Sequence, residues 1–113
     1  MYNFKFYEEA EKDLAKLNNS VKKLFAKKLT QIITNPEIGK DLGNKNNLVL
    51  AGLKKVYFDN KRYRIVYEIK EKEILIHIIA IGKRDNMKVY KQAHARYKEH
   101  NKLKRLLNNQ TGV

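Results

Sequence analysis

The sequence predicts an α+β domain with the element order βααβββα. Three observations predict it. Apolar residues start on a two-residue period and change to a helical period from Glu8 to a stop at Asn35-Pro36. Three short β-type runs follow, the last of them ILIHIIAI, and helical spacing then returns towards the end of the chain.

Element by element, Tyr2, Phe4 and Phe6 alternate with Asn3 and Lys5, the period of a half-buried strand. Ala10, Leu14 and Leu17 then mark a first helix. Val21, Leu24, Phe25, Leu29, Ile32 and Ile33 mark a second, with a break at Asn18-Asn19 and Ser20 as its expected N-cap. Asn35-Pro36 ends it, because a residue before proline is pushed out of the α region. Residues 39–52, GKDLGNKNNLVLAG, read as loop. Residues 55–58, 63–70 and 73–81 read as strands, the last two joined by a tight turn near Glu71-Lys72. The run 74–81 is apolar on both faces and is therefore expected inside the sheet. After Asp85, Val89, Ala93, Arg96 and Tyr97 return to helical spacing, and the polar tail beyond Leu107 is expected to fray. With no repeat and no linker, residues 1–113 form one domain.

Composition narrows the function classes. Twenty-five Lys and Arg against twelve Asp and Glu give a net charge of +13, a self-repulsion usually tolerated when a polyanion or acidic protein neutralises it. There is no cysteine and a single serine, Ser20, so serine and cysteine nucleophiles and thiolate metal sites have almost nothing to build on. His94 and His100 are six apart on a helix, a poor spacing for two ligands on one face, and His77 lies within a strand. No metal site is expected. Gly39 and Gly43 lack the G-K-[ST] ending of a phosphate loop. Among the acids only Glu68, in a strand, stands as a possible base. The opening MYNFKFYEEAEKD lacks a signal-peptide core, and no run approaches the roughly 20 apolar residues of a membrane helix. A cytoplasmic protein without a membrane partner is the expectation.

The charge has a focus. If the later strands pair, Lys55 shares a face with Tyr57 and Arg62 with Arg64, while Lys83 and Arg84 leave the end of the third strand. Strands about 4.8 Å apart would let these side chains converge. Arginine in a sheet otherwise written in Ile, Val and Tyr is costly to desolvate, and its planar fork suits a phosphate. Tyr90, in the helix beginning beside Arg84, reads equally as a packing residue and as a ring that stacks on a nucleobase. Lysines such as Lys54, Lys61, Lys70 and Lys72 read mainly as solvated surface.

The segments FYEEAEKDLAKL, VKKLFAKKL, TNPEIG, AGLKKVYFDNKRYRIVYEI and IIAIGKRDNMKVYKQAHAR, over about the first 97 residues, resemble the RelE/ParE toxins of type II toxin-antitoxin systems, most closely the RelE branch. RYRIVYEI together with IGKR and a following VY is the specific part. The resemblance implies a small antiparallel sheet with the helical hairpin packed on it. It also implies a ribosome-dependent mRNA endonuclease, an mRNA interferase. Such a toxin cuts in the ribosomal A site by attack of the message's own 2′-hydroxyl, without metal or cofactor, leaving a 2′,3′-cyclic phosphate and a 5′-hydroxyl. On that resemblance Lys55 takes the 2′-hydroxyl proton, Arg64 binds the phosphate, Arg84 steadies the pentavalent phosphorus and Tyr90 stacks on or orients the base. A lysine base requires neighbouring cations or desolvation to lower its pKa.

One position departs from the family pattern: Tyr57 stands where a second basic residue is usual, so that either Lys54 or Arg62 compensates or activity is reduced or shifted. Lys54, Tyr57, Arg62 and Lys83 are the expected substrate contacts. The implied partners are mRNA, 16S rRNA and a RelB-like antitoxin, acidic and partly disordered, that folds onto the basic surface in a hetero-oligomer. Residues 98–113 outrun shorter relatives as a basic helical extension on which Leu103, Leu106 and Leu107 form an apolar edge. Its alternatives are packing on the sheet or contact with RNA or antitoxin. Two other functions share the fold: a ParE-like inhibitor of DNA gyrase that performs no chemistry, and an inactive relative that only binds RNA or antitoxin.

Overall fold

The structure, a computed structural model, describes residues 1–44, 48, 50–84 and 87–111, the side chains of 108–111 excepted. Five strands and three helices follow in the order β1 (Asn3–Phe6), α1 (Glu8–Ala15), α2 (Asn19–Thr34), β2 (Lys40–Leu42), β3 (Leu53–Phe58), β4 (Tyr63–Lys70), β5 (Leu75–Lys83) and α3 (Lys88–Thr111). They form one mixed sheet in the order β1-β5-β4-β3-β2. The expected antiparallel sheet is present across β2 to β5, and β1 adds to it in parallel, Asn3 opposite Leu75. The α+β class holds.

The wholly apolar β5 lies inside the sheet between β1 and β4, and Ile76, Ile78, Ile79 and Ala80 are fully buried. β1 sits at an edge, which leaves Phe4 45% exposed while Phe6 packs against Phe25. Phe25 in turn meets Phe58, so α2 covers one face of the sheet. On the other face Val89 of α3 lies over Gly82 of β5.

Three local expectations change, and others lie outside the described residues. The N-cap of α2 is Asn18, whose Oδ1 accepts from the Val21 N–H at 3.0 Å; Ser20 only donates to that oxygen, at 2.7 Å. Lys40–Leu42 is a strand and not loop, because pairing with Leu53 to Lys55 supplies the hydrogen bonds that its own sequence does not advertise. Of the remaining expected loop, Lys45, Asn46, Asn47 and Val49 lie outside the described residues, as does the expected helix start at Asp85. The last helix runs on to Thr111 instead of fraying beyond Leu107, since no Gly or Pro interrupts it after Lys88.

Two polar clamps fix the frame. The Tyr67 hydroxyl donates to the Pro36 carbonyl at 2.7 Å and accepts from the Gly39 N–H at 3.1 Å, tying the end of α2 to β4. A Cβ at residue 39 would overlap that hydroxyl, so glycine is required there. At the other end the β4–β5 register skips Ile79, passing from Val66–Ala80 to Tyr67–Ile78. The Ile79 carbonyl accepts from Arg96 Nη1 at 2.9 Å, and Arg96 grips Asp13 through both carboxylate oxygens at 2.6 and 3.1 Å. Asp13 also accepts from the Ile81 N–H at 3.0 Å. One carboxylate and one guanidinium thus lock α1, β5 and α3 together. No helix of the described residues is long and apolar enough to cross a membrane.

Candidate active site

Strand register builds the site. Tyr57 of β3 stands opposite Arg64 of β4, and Arg64 stands opposite Gly82 of β5. Lys55, two residues before Tyr57, shares its face. The β3–β4 connection is a tight turn in which Asp59, Asn60 and Lys61 all have φ between 53° and 65°. Aspartate and asparagine tolerate that left-handed region better than other non-glycine residues. The turn brings the Arg62 carbonyl to the Arg84 N–H, at 2.8 Å, so the residue leaving β5 is held beside the β3–β4 hairpin. From the opposite side α3 brings Tyr90 against the same face.

Three cations surround one ring. The Tyr57 centroid is 5.0 Å from Lys55 Nζ, 5.4 Å from Arg64 Cζ and 5.7 Å from Arg84 Cζ. The Tyr90 ring lies 4.7 Å from Arg64 Cζ and 5.7 Å from Lys55 Nζ. Cation–π attraction offsets part of the mutual repulsion of the three charges. Among the described residues no carboxylate pairs with Lys55, Arg64 or Arg84. Arg64 is only 8% exposed, and its Nε and Nη1 are buried without a hydrogen-bond partner there. A buried, unmatched guanidinium costs several kcal/mol unless an anion joins it, by the order of magnitude for buried charge. Next to the cluster a cleft of about 890 Å³ is lined in part by Lys61, Arg62, Lys83 and Arg84, together with Asn18 and Ser20 at the start of α2. Among the described residues no group of three or more His, Cys, Asp or Glu gathers to hold a metal.

Residues 4–87 match the family described as the ParE toxin of the type II toxin-antitoxin system, parDE. The chain belongs to this toxin family. The mRNA interferase toxin RelE of Escherichia coli strain K12 is 31% identical over 95 residues, 81% of this chain and 93% of that protein. The isolated E. coli RelE toxin superposes with a TM-score of 0.64 at 26% identity, over 86% of this chain and 99% of that one. The toxin in the intact E. coli RelBE toxin-antitoxin complex gives 0.65 at 26% identity, over 76% and 100%.

In this toxin-family member the cluster contains Lys55, Tyr57, Arg64, Arg84 and Tyr90 and leaves others out. Lys54 faces away from it, bound to Asp41 at 2.6 Å and Glu37 at 3.2 Å, and is not a free substrate contact. Strand alternation sends neighbouring residues to opposite faces, so only one of Lys54 and Lys55 can join. Arg62 and Lys83 are exposed on the neighbouring cleft. Tyr90 is 3% exposed, its ring under the Arg64 guanidinium; it packs there and does not offer a stacking face. Glu68 accepts from the Tyr97 hydroxyl at 2.7 Å, which engages it as a structural partner of α3 and not as a free base.

The largest surprise concerns protons. Burial pulls the Lys55 pKa down, but hydrogen bonds to Tyr57 and Tyr90 outweigh it and the net shift is upward. Lys55 is therefore a firm cation, contrary to the expected lowering. The Tyr57 phenol moves the opposite way, below its ordinary range, through the Lys55 hydrogen bond first, against burial, with added help from the Lys55, Arg64 and Arg84 charges.

Proposed function

We infer that this toxin is an mRNA interferase that cleaves the message in the ribosomal A site through attack of the 2′-hydroxyl on the adjacent phosphate. The observation that carries the reading is the trio Lys55, Arg64 and Arg84 around Tyr57 with no acid among the described residues to neutralise it. Such a concentration of charge suits a scissile phosphate, whose negative charge grows as the pentavalent state forms. In this reading Arg64, half fixed by its burial and by Tyr90, is the rigid phosphate ligand, and Arg84, exposed at the end of β5, closes on the developing oxyanion. Lys55 supplies charge and orientation. Arg62 and Lys83 guide the RNA backbone along the adjacent cleft.

Its partners are mRNA and 16S rRNA on the ribosome and a RelB-like antitoxin in a hetero-oligomer, the arrangement named for the E. coli RelBE complex it resembles. It acts in the cytoplasm, where translating ribosomes are. Residues 98–113 are read as a basic extension of the single domain. Leu103, Leu106 and Leu107 are 50%, 50% and 60% exposed, so this apolar edge is read as meeting RNA or antitoxin, while His100 earlier in the extension stacks on Tyr7 at 3.7 Å.

A gyrase-directed reading has one observation in its favour, the ParE description of the matching family. The test is to add the protein to a purified translation system and map message ends, with gyrase supercoiling assayed in parallel. Cleaved messages ending in 2′,3′-cyclic phosphate and 5′-hydroxyl are expected. Intact messages with failed supercoiling would transfer the assignment to gyrase. Arg84→Ala should lower cleavage by about 10²–10³-fold, the usual loss for one oxyanion ligand, while antitoxin binding is retained. Equal loss of both would make Arg84 a binding residue.

A further inference from the structure

We propose that Tyr57, in its deprotonated form, is the general base of the cleavage: its phenolic oxygen, and not the Lys55 amine, receives the 2′-hydroxyl proton. The proposal rests on the interferase reading above and names a residue role within it.

Geometry carries the assignment. Lys55 Nζ donates to the Tyr57 hydroxyl oxygen at 3.0 Å, so that oxygen accepts from an ammonium group, the arrangement that stabilises a phenolate. Among the described residues the charged groups placed around Tyr57 all act in one sense. Lys55 lies on its own strand, Arg64 opposite it on β4 and Arg84 beside the end of β5, and the Tyr90 ring meets Lys55 and Arg64 from α3. The contact that disqualifies Lys55 qualifies Tyr57. An ammonium that donates its protons into hydrogen bonds has no lone pair to offer, whereas the phenol it contacts is the group whose ionised form gains. Tyr57 is partly exposed, between a buried Arg64 and an exposed Arg84.

The step balances without any further reagent except water. The Tyr57 phenolate takes the 2′-hydroxyl proton as the 2′-oxygen forms its bond to phosphorus. The bond from phosphorus to the 5′-oxygen breaks, and that oxygen takes a proton from water. The hydroxide so formed removes the proton from Tyr57 and restores the phenolate. No net proton is consumed, as a cyclising transesterification requires.

Tyr57→Phe is the deciding variant, because it keeps the ring that the three cations surround and removes only the oxygen. On programmed ribosomes single-turnover cleavage should fall by about 10²–10⁴-fold, the usual contribution of a general base. Wild-type cleavage should rise with pH and level off below the ordinary tyrosine value of about 10, and Tyr57→Phe should lose that rise. Tyr57→Lys should restore cleavage with a different pH midpoint, since a free amine can replace the base but not its titration. Independently of the ribosome, ultraviolet titration of the free protein should show one tyrosinate forming early, absent in Tyr57→Phe. If Tyr57→Phe cleaves at the wild-type rate with an unchanged pH profile, the base role is overturned and the interferase reading stands. If the wild-type protein itself leaves ribosome-bound message intact, the interferase reading falls and the base role falls with it.

Discussion

Arg96 and Arg64 lie at similar depth, the Arg96 side chain 13% exposed and Arg64 8%, yet the fold treats them in opposite ways. Arg96 has a carboxylate gripped at both oxygens and a backbone carbonyl as well. Arg64 has aromatic faces, two further cations nearby and no acid among the described residues. The first arrangement satisfies itself and needs nothing from outside. The second is complete only with an anion present, and an unmatched buried charge is a cost that folding alone gives no reason to keep. Depth therefore does not separate structural from functional arginines in this chain; the chemistry of the partners does.

The contrast can be broken most sharply at Arg96. Arg96→Leu leaves Asp13 buried and unpaired and should cost about 3–5 kcal/mol of stability, a large share of the 5–15 kcal/mol typical of a domain. Adding Asp13→Asn to it should return part of that loss, since the stranded charge is then gone. Urea unfolding checks both variants, and a loss below about 1 kcal/mol would show that the pair is not a structural lock. Cleavage, measured where the variants remain folded, should change little.

Arg64→Leu should invert that pattern. Cleavage should drop by about 10²–10³-fold while stability stays level or rises by about 1 kcal/mol, because an uncompensated charge has been replaced by apolar volume. Matching losses of stability and activity would mean that Arg64 belongs with Arg96.

How much of this contrast the sequence shows depends on how local each cause is. The strand Tyr63–Lys70 was legible to the residue, because alternating Tyr, Ile and Val between turn residues is a signal written within the segment. Lys55, Tyr57 and Arg64 were legible as neighbours through strand alternation once pairing was assumed. The Asp13–Arg96 lock was not, since it joins residues 83 positions apart and depends on the register skip at Ile79, which no periodicity reveals. Tyr90 was half legible: helical spacing places it in the helix that begins beside Arg84, but only the packed structure shows that its ring is buried against Arg64. The proton affinities of Lys55 and Tyr57 follow from a 3.0 Å contact between them, and a sequence holds no distances.

Away from the cation cluster, His77 of β5 gives the fold a pH dependence of its own. His77, its ring 4.4 Å from that of Tyr7, has its pKa lowered to about 4, chiefly by burial and then by the Lys70, His100 and Lys5 charges, with Glu73 opposing. The unfolded chain binds that proton near pH 6.5 and the folded one resists it, so stability is full above pH 6.5 and is lost as pH falls towards 4. The loss should be about 2 kcal/mol at pH 4, less than the whole shift implies because the ring is partly solvated. His77→Gln should flatten this limb in urea titrations. An unchanged slope would place the acid sensitivity elsewhere.

The smallest expected effect tests the open end directly. If the cations around Tyr57 lack only an anion, then sulfate or phosphate should bind among them and stabilise the fold by mass action. At about ten times the dissociation constant the gain is about 1.4 kcal/mol, a rise of roughly 4–6 °C in Tm for a domain of this size. Sodium chloride at matched ionic strength serves as the control for general screening, which acts on all exposed charges alike. Arg64→Leu should lose the oxyanion-specific rise, whereas Arg96→Leu should keep it on a lower baseline. Equal rises in all three proteins would mean that the anion acts through exclusion from the surface and not through the site. A rise confined to proteins that retain Arg64 would give the unpaired guanidinium its missing partner without any ribosome in the assay, and would separate the binding of phosphate charge from the chemistry performed on it.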